Sequence, residues 1–269
     1  MAILAMQSAA SGLRALNTRL DVTANNLANV NTEGFKSSRV NFEDLLYIER
    51  AQPGVENANG DQRPTGLYVG LGVRASGTQQ DFTQGASIPG NGPLDMFIDG
   101  RGFFQVQVET DLGEGGMAYT RAGNFVLNAD NEIVLANSDG RRLEPAITIS
   151  ADAEEVSIDS TGQIWENIPG QAEPQLAGQV ELAVFINPAG LSQVGGNLWV
   201  ESGASGSPIT GDPGSENFGS ITGGMLEGSN VDPAIELIEL IRTQRAFEMN
   251  SQSIQAADET LRSIAQLRR

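Results

Sequence analysis

The sequence predicts an α+β protein in which long N- and C-terminal helices form a coiled-coil assembly domain around a central all-β domain, a sandwich or an irregular barrel. Three observations support this prediction. Apolar residues recur every seven positions near both ends of the 269-residue chain. Short stretches of alternating apolar and polar residues fill the middle. Glycine and proline are concentrated between the ends, where turns are needed, and are scarce within the two heptad regions.

The first predicted element is a helix over residues 2–30. Its apolar side chains fall on two lines: Met6, Leu13, Leu20 and Leu27 on the first, and Ala9, Leu16, Thr23 and Val30 on the second. Asn29, Asn31 and Gly34 are typical of a helix end. We expect Met6, Leu13, Leu16, Leu20, Leu27 and Val30 to lie in a subunit interface.

The last predicted element is a second helix. Asp232 is a suitable cap and Pro233 suits the first helical position. Its heptad line, widened on both sides, comprises Leu237, Leu240, Ile241, Phe247, Ile254, Ala257, Leu261 and Ile264. The expected interface residues here are Leu237, Leu240, Phe247, Ile254, Leu261 and Ile264. Thr23, Thr243 and Asn250 place polar groups on apolar lines, which is typical of residues that fix helix register.

The middle of the chain predicts many short strands. Phe104, Val106 and Val108 form one alternating row, and Val180, Leu182, Val184 and Ile186 form another. Shorter runs cover residues 118–121, 124–128, 132–136, 146–149, 156–159 and 198–201. Residues 203–219 are rich in Gly, Ser and Pro and predict an exposed loop. The expected division is 1–36 for the N-terminal assembly helix, 37–70 for a connecting segment, 71–228 for the β domain and 229–269 for the C-terminal helix.

Composition excludes several classes of function. The net charge of −18 argues against nucleic acid as a partner. There is no His and no Cys, which removes the usual catalytic triads, disulfides and thiolate or imidazole metal sites. We expect no cofactor and no metal. One enzyme class survives, an acidic β-rich hydrolase that uses two carboxylates, for which Asp95 and Asp99 are the candidates. Turn chemistry is the simpler interpretation of that pair.

The heptad helices point instead to assembly. A single amphipathic helix is marginal in water, and pairing the two terminal helices would leave part of each apolar stripe exposed. Copies of this chain in a head-to-tail arrangement would cover the stripes and produce a ring or a helical polymer. The alternative, that each helix packs on its own domain, remains open at this point.

The most specific motif follows the first helix. It comprises Asn25, Asn26, Leu27, Ala28, Asn29, Asn31, Thr32, Gly34 and Phe35. This motif closely resembles the signature of the flagellar rod and hook family of axial proteins. The resemblance continues through residues 100–106, 118–125, 226–232 and 244–248 and covers almost the whole chain. Chain length and residues 42–54 resemble the distal-rod branch of that family, although a second rod branch of similar length (proximal rod) and a hook-like protein remain alternatives.

The resemblance implies a structural, non-enzymatic subunit that polymerises into a hollow helical tube and transmits torque from motor to hook. The implied partners are further copies of the chain, proximal rod proteins, hook or hook cap-side proteins, the surrounding peptidoglycan and outer-membrane ring proteins and the flagellar type III export apparatus. It also implies a basal-body location that spans the periplasm, with export that cleaves no signal peptide. No polybasic, apolar signal segment is recognisable at the N-terminus, in keeping with that expectation.

Residues 47–64 match in position a segment that separates straight, rigid rods from bendable hooks in this family. The residues that mark the segment are Tyr47, Gln52, Pro53, Gly54 and Pro64. Its polar composition alone is typical of a disordered linker. The resemblance implies instead that it orders between neighbouring subunits and prevents them from sliding.

Overall fold

The computed structural model describes residues 2–55, 62–109, 112, 114–171 and 173–267, which divide into two compact units. The helical unit comprises the described residues of Met1–Ala28, Ser38–Gln80 and Asp232–Arg269. The β body comprises those of Asn29–Ser37 and Asp81–Val231. The predicted combination of two terminal helices with a central β-rich region is confirmed.

Two long helices, α1 (Ala2–Ala28) and α2 (Pro233–Leu267), dominate the helical unit. The carboxylate of Asp232 accepts the backbone N–H groups of Ala234 (2.8 Å) and Ile235 (3.3 Å), so the predicted cap is present. The first helix ends two residues earlier than predicted. Val30 therefore lies in the turn after α1, because the asparagine-rich segment leaves the helical conformation at residue 29.

The helices pack against each other in antiparallel orientation. Arg19 pairs with Glu239 (2.5 Å), and Asn26 contacts Glu236 seven residues further along α1. Towards the other end, Gly12 lies against Asn250, whose amide nitrogen would be 3.3 Å from a Cβ atom at position 12. As the residue number increases along α1, the number of the contacting residue on α2 decreases. The two helices are therefore antiparallel.

Four strands complete the helical unit. They are β1 (Ser38–Asp44), β2 (Tyr47–Ala51), β3 (Leu67–Gly70) and β4 (Val73–Gln80). β1 pairs with β4 and β2 pairs with β3, both antiparallel. Hydrogen bonds from Leu45 N to Gly72 O and from Leu71 N to Leu46 O join the two pairs. The result is a continuous two-stranded ribbon, here called the arm, where the sequence had predicted only a connecting segment.

The β body contains sixteen further short strands among the described residues. In chain order they are β5 (Ser87–Pro89), β6 (Met96–Asp99), β7 (Phe103–Gln107), β8 (Met117–Thr120), β9 (Phe125–Leu127), β10 (Ile133–Leu135), β11 (Leu143–Glu144), β12 (Glu155–Ile158), β13 (Gln163–Asn167), β14 (Gln175–Gln179), β15 (Leu182–Val184), β16 (Ser192–Gly195), β17 (Leu198–Val200), β18 (Ile209–Gly211), β19 (Ser220–Gly223) and β20 (Met225–Glu227).

The largest sheet of the body has the order β16-β17-β8-β7-β15-β18, with β11 also paired to β7. Three strands form a second sheet, β12-β13-β14, and the pairs β9–β10, β6–β19 and β5–β20 are separate. The largest sheet is open, ending at β16 and β18, so the prediction of a barrel is not confirmed, and neither is the sandwich.

Both faces of the largest sheet are buried along its central strands β17, β8, β7 and β15, whereas the edge strands β16 and β18 are exposed. Phe104 and Val106 point into the main apolar cluster with Phe125 and Leu182. Phe103, one residue out of phase, joins a second and more aromatic cluster with Tyr119, Ala183, Phe185, Leu191 and Trp199. The alternation predicted for residues 104–108 is therefore correct, and its other face is also covered, because even Gln105 is buried.

Three strand predictions differ from the structure. Residues 146–149 form no strand: Ile147 and Ile149 are buried as the alternation predicted, but Thr148 makes only an isolated bridge to Glu132. Burial of alternate residues does not by itself require a paired strand. The second row forms a strand only over Leu182–Val184: Val180 precedes the strand, and Ile186 beyond it is 82% exposed. The predicted loop 203–219 contains β18, which pairs with β15 at the edge of the largest sheet.

Candidate functional site

The seam between α1 and α2 buries small and polar residues. Ala15, Thr23 and Thr243 are each 5% exposed or less. Thr243 satisfies its hydroxyl by donating to the carbonyl of Glu239 (2.7 Å). Asn250 faces Gly12, where the absence of a side chain allows a close approach. The polar residues that the heptads singled out therefore lie within or beside the seam of a single chain.

Most of the apolar residues expected in an interface are only partly buried. Met6, Leu13, Leu16, Leu20, Leu27, Leu240, Phe247, Ile254 and Leu261 are half-buried on α1 and α2. Val30 is also half-buried, but it belongs to the β body. Leu237 is exposed, and the side chain of Ile264 lies outside the described residues. Pairing of α1 with α2 thus leaves apolar area on both helices in contact with solvent.

A second apolar surface lies on the outer side of α2. We define the outer face of α2 as Ile235, Leu237, Ile238, Ile241 and Met249, which are 47–62% exposed. At 3.6 residues per turn Leu237, Ile238, Ile241 and Met249 lie about 120–160° around the helix from buried Thr243, and Ile235 lies at the edge of this face, about 80° from Thr243. The heptad analysis identified only Leu237 and Ile241 among them. The remainder were missed because they fall between the heptad lines, although the two apolar pairs at 237–238 and 240–241 were a usable signal.

Asn26, one of the asparagines of the family motif, connects three elements of the helical unit. Its side chain is 2% exposed. The amide nitrogen donates to the carbonyl of Ser38 (2.8 Å) and to the carboxylate of Glu236 (3.0 Å), and its oxygen accepts the N–H of Ser38 (2.9 Å). Asn26 thereby fixes the end of α1 against the start of β1 and the first turn of α2.

The part of the motif that follows α1 forms a tight turn within the β body. The hydroxyl of Thr32 donates to the side-chain oxygen of Asn29 (3.0 Å), and the N–H of Gly34 donates to the carbonyl of Glu227 (2.8 Å). Gly34 has φ +67°, and a Cβ atom there would lie 2.5 Å from the backbone nitrogen of Ala122. Only glycine fits, because both the backbone conformation and the close approach exclude a side chain.

Three charged side chains form a buried cluster beside this turn. Lys36 Nζ lies 2.6 Å from Glu227 Oε1, and Arg121 Nη1 lies 3.2 Å from Glu227 Oε2. All three residues are at least 94% buried. The carbonyl of Thr83 accepts a further bond from Lys36 (2.7 Å), the carbonyl of Gly100 accepts one from Arg121 (2.7 Å), and Glu227 also accepts the N–H of Gly85 (2.8 Å).

Burial controls the ionisation of this cluster. Loss of solvent lowers the pKa of Lys36, and the adjacent Glu227 carboxylate opposes that shift. Burial likewise lowers the pKa of Arg121, again opposed by Glu227. Within the cluster one carboxylate contacts two cations, and the nearby charge of Asp81 also acts to raise the pKa of Lys36. Sequence reasoning assigned these residues no role, although each lies within one of the motif segments at 24–36, 118–125 and 226–232 and Lys36 is the chain's single lysine.

The arm contains the described part of the rigidity segment. Tyr47 opens β2 and pairs with Gly70, while Gln52, Pro53, Gly54 and Pro64 are exposed. Backbone bonds between Gly54 N and Arg63 O (2.8 Å) and between Arg63 N and Val55 O (3.1 Å) extend the ribbon. Residues 56–61 of the segment lie outside the described residues. Composition alone favoured a linker, whereas the described flanks are paired strand.

Exposed apolar side chains are concentrated on the arm. Leu46 is 82% exposed, and Tyr47, Leu67 and Tyr68 are each more than half exposed. A two-stranded ribbon is weak alone and presents unpaired backbone groups along both edges. The arm thus combines backbone and apolar groups that a neighbouring molecule can cover.

The two candidate catalytic carboxylates, Asp95 and Asp99, accept hydrogen bonds that stabilise turns and loops. Asp95 is buried and its Oδ2 atom accepts the N–H of Gly92 (2.7 Å), while Asp99 accepts the side-chain amide of Gln84 (3.3 Å). Among the described residues, no group of three or more acidic side chains is placed to hold a metal ion. No helix in the described part of the chain has the length and apolarity needed to cross a bilayer.

Comparison with known proteins identifies the family. Models described as flagella basal body rod protein, flagellar hook protein FlgE/F/G D1 domain and flagellar basal body rod FlgEFG protein C-terminal match residues 6–36, 97–165 and 222–267. The flagellar basal-body rod protein FlgG of Caulobacter vibrioides is 41% identical over 98% of this chain and 99% of its own length. That of Agrobacterium fabrum is 42% identical over 95% of each.

The hook protein FlgE of Salmonella typhimurium is 37% identical but matches only 61% of this chain and 40% of its own length. Full-length agreement is therefore with rod proteins rather than with the hook protein, and the carboxylate hydrolase alternative is wrong. The chain belongs to the family of flagellar basal-body rod proteins, which are structural proteins and not enzymes.

Proposed function

We propose that this chain is a subunit of the distal rod that polymerises through its terminal helices into a hollow helical tube and transmits torque from motor to hook. The observation that carries this proposal is the outer face of α2. Five large apolar side chains remain about half exposed there, while α1 packs on the side of α2 that carries Thr243. Association buries such a surface favourably, at about 25 cal/mol per Å² of apolar area.

In the proposed polymer, α1 and α2 of each copy form the inner layer and pack as a coiled coil with neighbouring copies. The interface residues are those on the two helices that remain half-buried or exposed in the single chain. The family relationship supports self-association along an axis. The proposal extends to proximal rod proteins, hook-side proteins, the surrounding ring proteins and the type III export apparatus as partners, in a periplasm-spanning basal body reached without signal cleavage.

The test changes the outer face of α2 while leaving the seam intact. The double variant Ile238→Ser with Ile241→Ser is expected to abolish or strongly weaken polymerisation, measured by sedimentation velocity and electron microscopy. Because both side chains are exposed, the free energy of unfolding of the monomer should change by only about 0.5 kcal/mol. Val126→Ser, an apolar residue 45% exposed on the β body, is the matched control and should polymerise normally. Wild-type polymerisation by the double variant would refute the proposal.

We further propose that the arm sets the stiffness of the polymer by contacting a neighbouring copy. Its exposed tyrosines and leucines support this role. Removing residues 47–64 should give polymers that bend more in electron micrographs. A variant in which the same residues are replaced by a Gly/Ser segment of equal length separates the effect of sequence from that of length, and should bend as well. Straight, stiff polymers from both variants would contradict this role.

A further inference from the structure

We propose that the β body carries a binding pocket, floored by Phe103 and Phe185 and bordered by Arg101 and Arg121, that takes a carboxylate side chain of a second copy of this chain. The inference rests on the proposed function, since it concerns how copies contact one another. It adds a contact between β bodies to those proposed for the helices.

The pocket has a volume of about 210 Å³. Its floor is aromatic: Phe103 and Phe185 are nearly fully buried and their rings meet edge to face with centroids 5.9 Å apart. The rest of the apolar lining comes from Phe82, Val184, Ile186 and Pro188. This size and shape suit the methylene groups of one acidic side chain.

The charge at the pocket is unbalanced. Arg121 lies over the ring of Phe103 at 5.4 Å, and it shares its single carboxylate partner, Glu227, with Lys36. Arg121 Nε is buried and has no hydrogen-bond partner in the described part of the chain. Exposed Arg101 adds a second positive charge at the border. Among the described residues the pocket lining has these two arginines and no acidic side chain, so an incoming carboxylate would meet only positive charge there.

Charge complementarity identifies the occupant. Between residues 41 and 230 the chain has seven basic and 26 acidic side chains, and two of those seven arginines border this pocket. A second copy therefore offers an acidic surface to a positive recess. Ile186, at the pocket border and 82% exposed, provides an apolar contact for the same neighbour. Within an axial homopolymer such neighbours are always present at high local concentration.

The test compares charge reversal at the pocket with charge reversal elsewhere on the β body. Arg101→Glu should raise the concentration needed for polymerisation by about tenfold, because a like charge replaces the attraction. Arg142→Glu makes the same change in net charge at an arginine with a half-exposed side chain outside the pocket, and should shift that concentration less than about twofold. Arg101→Lys should restore most of the wild-type behaviour. Circular dichroism establishes that each variant is folded.

A second measurement identifies the occupant directly. With p-benzoylphenylalanine in place of Ile186, irradiation of the polymer should cross-link the pocket border to a peptide of a second copy that contains Asp or Glu. Cross-links only within one chain, only to a different protein, or only to a peptide without an acidic residue would overturn the inference. Equal polymerisation of wild type and Arg101→Glu would overturn it as well.

The outcomes separate this inference from the proposed function. If the Ile238→Ser, Ile241→Ser variant loses polymerisation while Arg101→Glu keeps it, the helices drive assembly and the pocket inference is wrong. If the wild-type chain does not polymerise and irradiation captures no second copy, both are wrong. If Arg101→Glu fails while Arg142→Glu and Arg101→Lys assemble, both are supported.

Discussion

The ammonium group of Lys36 lies 2.6 Å from the carboxylate of Glu227, with both side chains buried and a sequence separation of 191. The pair connects the turn after the first helix to the last strand of the β body. Because Arg121 contacts the same carboxylate, three separate motif segments of the sequence meet at one anion. This cluster gives a physical reason for charged residues at those motif positions.

Removing the central anion should be severely destabilising. Glu227→Gln leaves two buried cations without a counter-charge, and breaking a buried pair in this way costs about 3–5 kcal/mol. The free energy of unfolding from urea titration measures the effect. Glu43→Gln is the control, since Glu43 pairs with Arg74 on the surface and such pairs contribute less than about 1 kcal/mol. Similar small losses in both variants would contradict the importance assigned to the cluster.

Gly34 should not tolerate a side chain. Gly34→Ala places a Cβ atom 2.5 Å from the backbone nitrogen of Ala122, in a backbone conformation that alanine rarely adopts. Gly140→Ala shares the positive φ but meets no atom within 4 Å, so it isolates the conformational cost of about 1–2 kcal/mol. We expect Gly34→Ala to lower the free energy of unfolding by clearly more than this control. Equal losses would mean that the backbone there moves aside freely.

The side-chain amide of Asn26 should stabilise the helical unit. Asn26→Ala removes three hydrogen bonds and leaves Ser38 with unpaired backbone groups, at a cost of about 2–3 kcal/mol. Asn17→Ala, at an exposed position of the same helix, should be neutral or slightly stabilising because alanine favours helix. Hydrogen exchange at the start of β1 reports the local effect. Unchanged protection there in Asn26→Ala would disprove the bridging role.

Stability should fall in strong alkali because of Tyr119. Burial, assisted by the charge of Glu201, raises the pKa of Tyr119 from 10.0 to about 12. Between these values the unfolded chain has lost the phenolic proton that the folded chain retains, so stability is lost as pH rises through this window. In Tyr119→Phe the free energy of unfolding from urea titration should decrease less over this pH range than in the wild type. Tyr68→Phe, at an exposed position, should not reduce that decrease. Lys36 acts in the opposite direction: between its lowered folded-state pKa and 10.5 the unfolded chain holds more protons than the folded chain, so its contribution to stability increases as pH rises through that window.

Periodic signals predicted the elements whose burial is periodic. The heptads located both helices, and Asp232 with Pro233 gave the start of α2 at the correct residue. Alternation from Phe104 to Val108 located β7. These predictions succeeded because the solvent-facing and core-facing sides of such elements differ in composition.

The arm and the charge cluster carry no such signal. Strands β1 to β4 are largely exposed, so their sequence resembles that of a linker. Cross-strand pairing and hydrogen bonds to α1 order them. Lys36, Arg121 and Glu227 have the composition of surface residues and become buried only through contacts between distant segments. The outer face of α2 was partly missed because a single heptad register accounts for only one side of a helix.

Burial of Lys36 also determines how the folded protein responds to amine-directed chemistry. It provides the chain's single side-chain amine, and this amine is enclosed by Glu227 and a backbone carbonyl. Acylating reagents, acetylating enzymes and lysine-directed cross-linkers therefore find no side-chain amine on the folded surface. Acylation at Lys36, followed over time by mass spectrometry, reports directly how often the cluster opens.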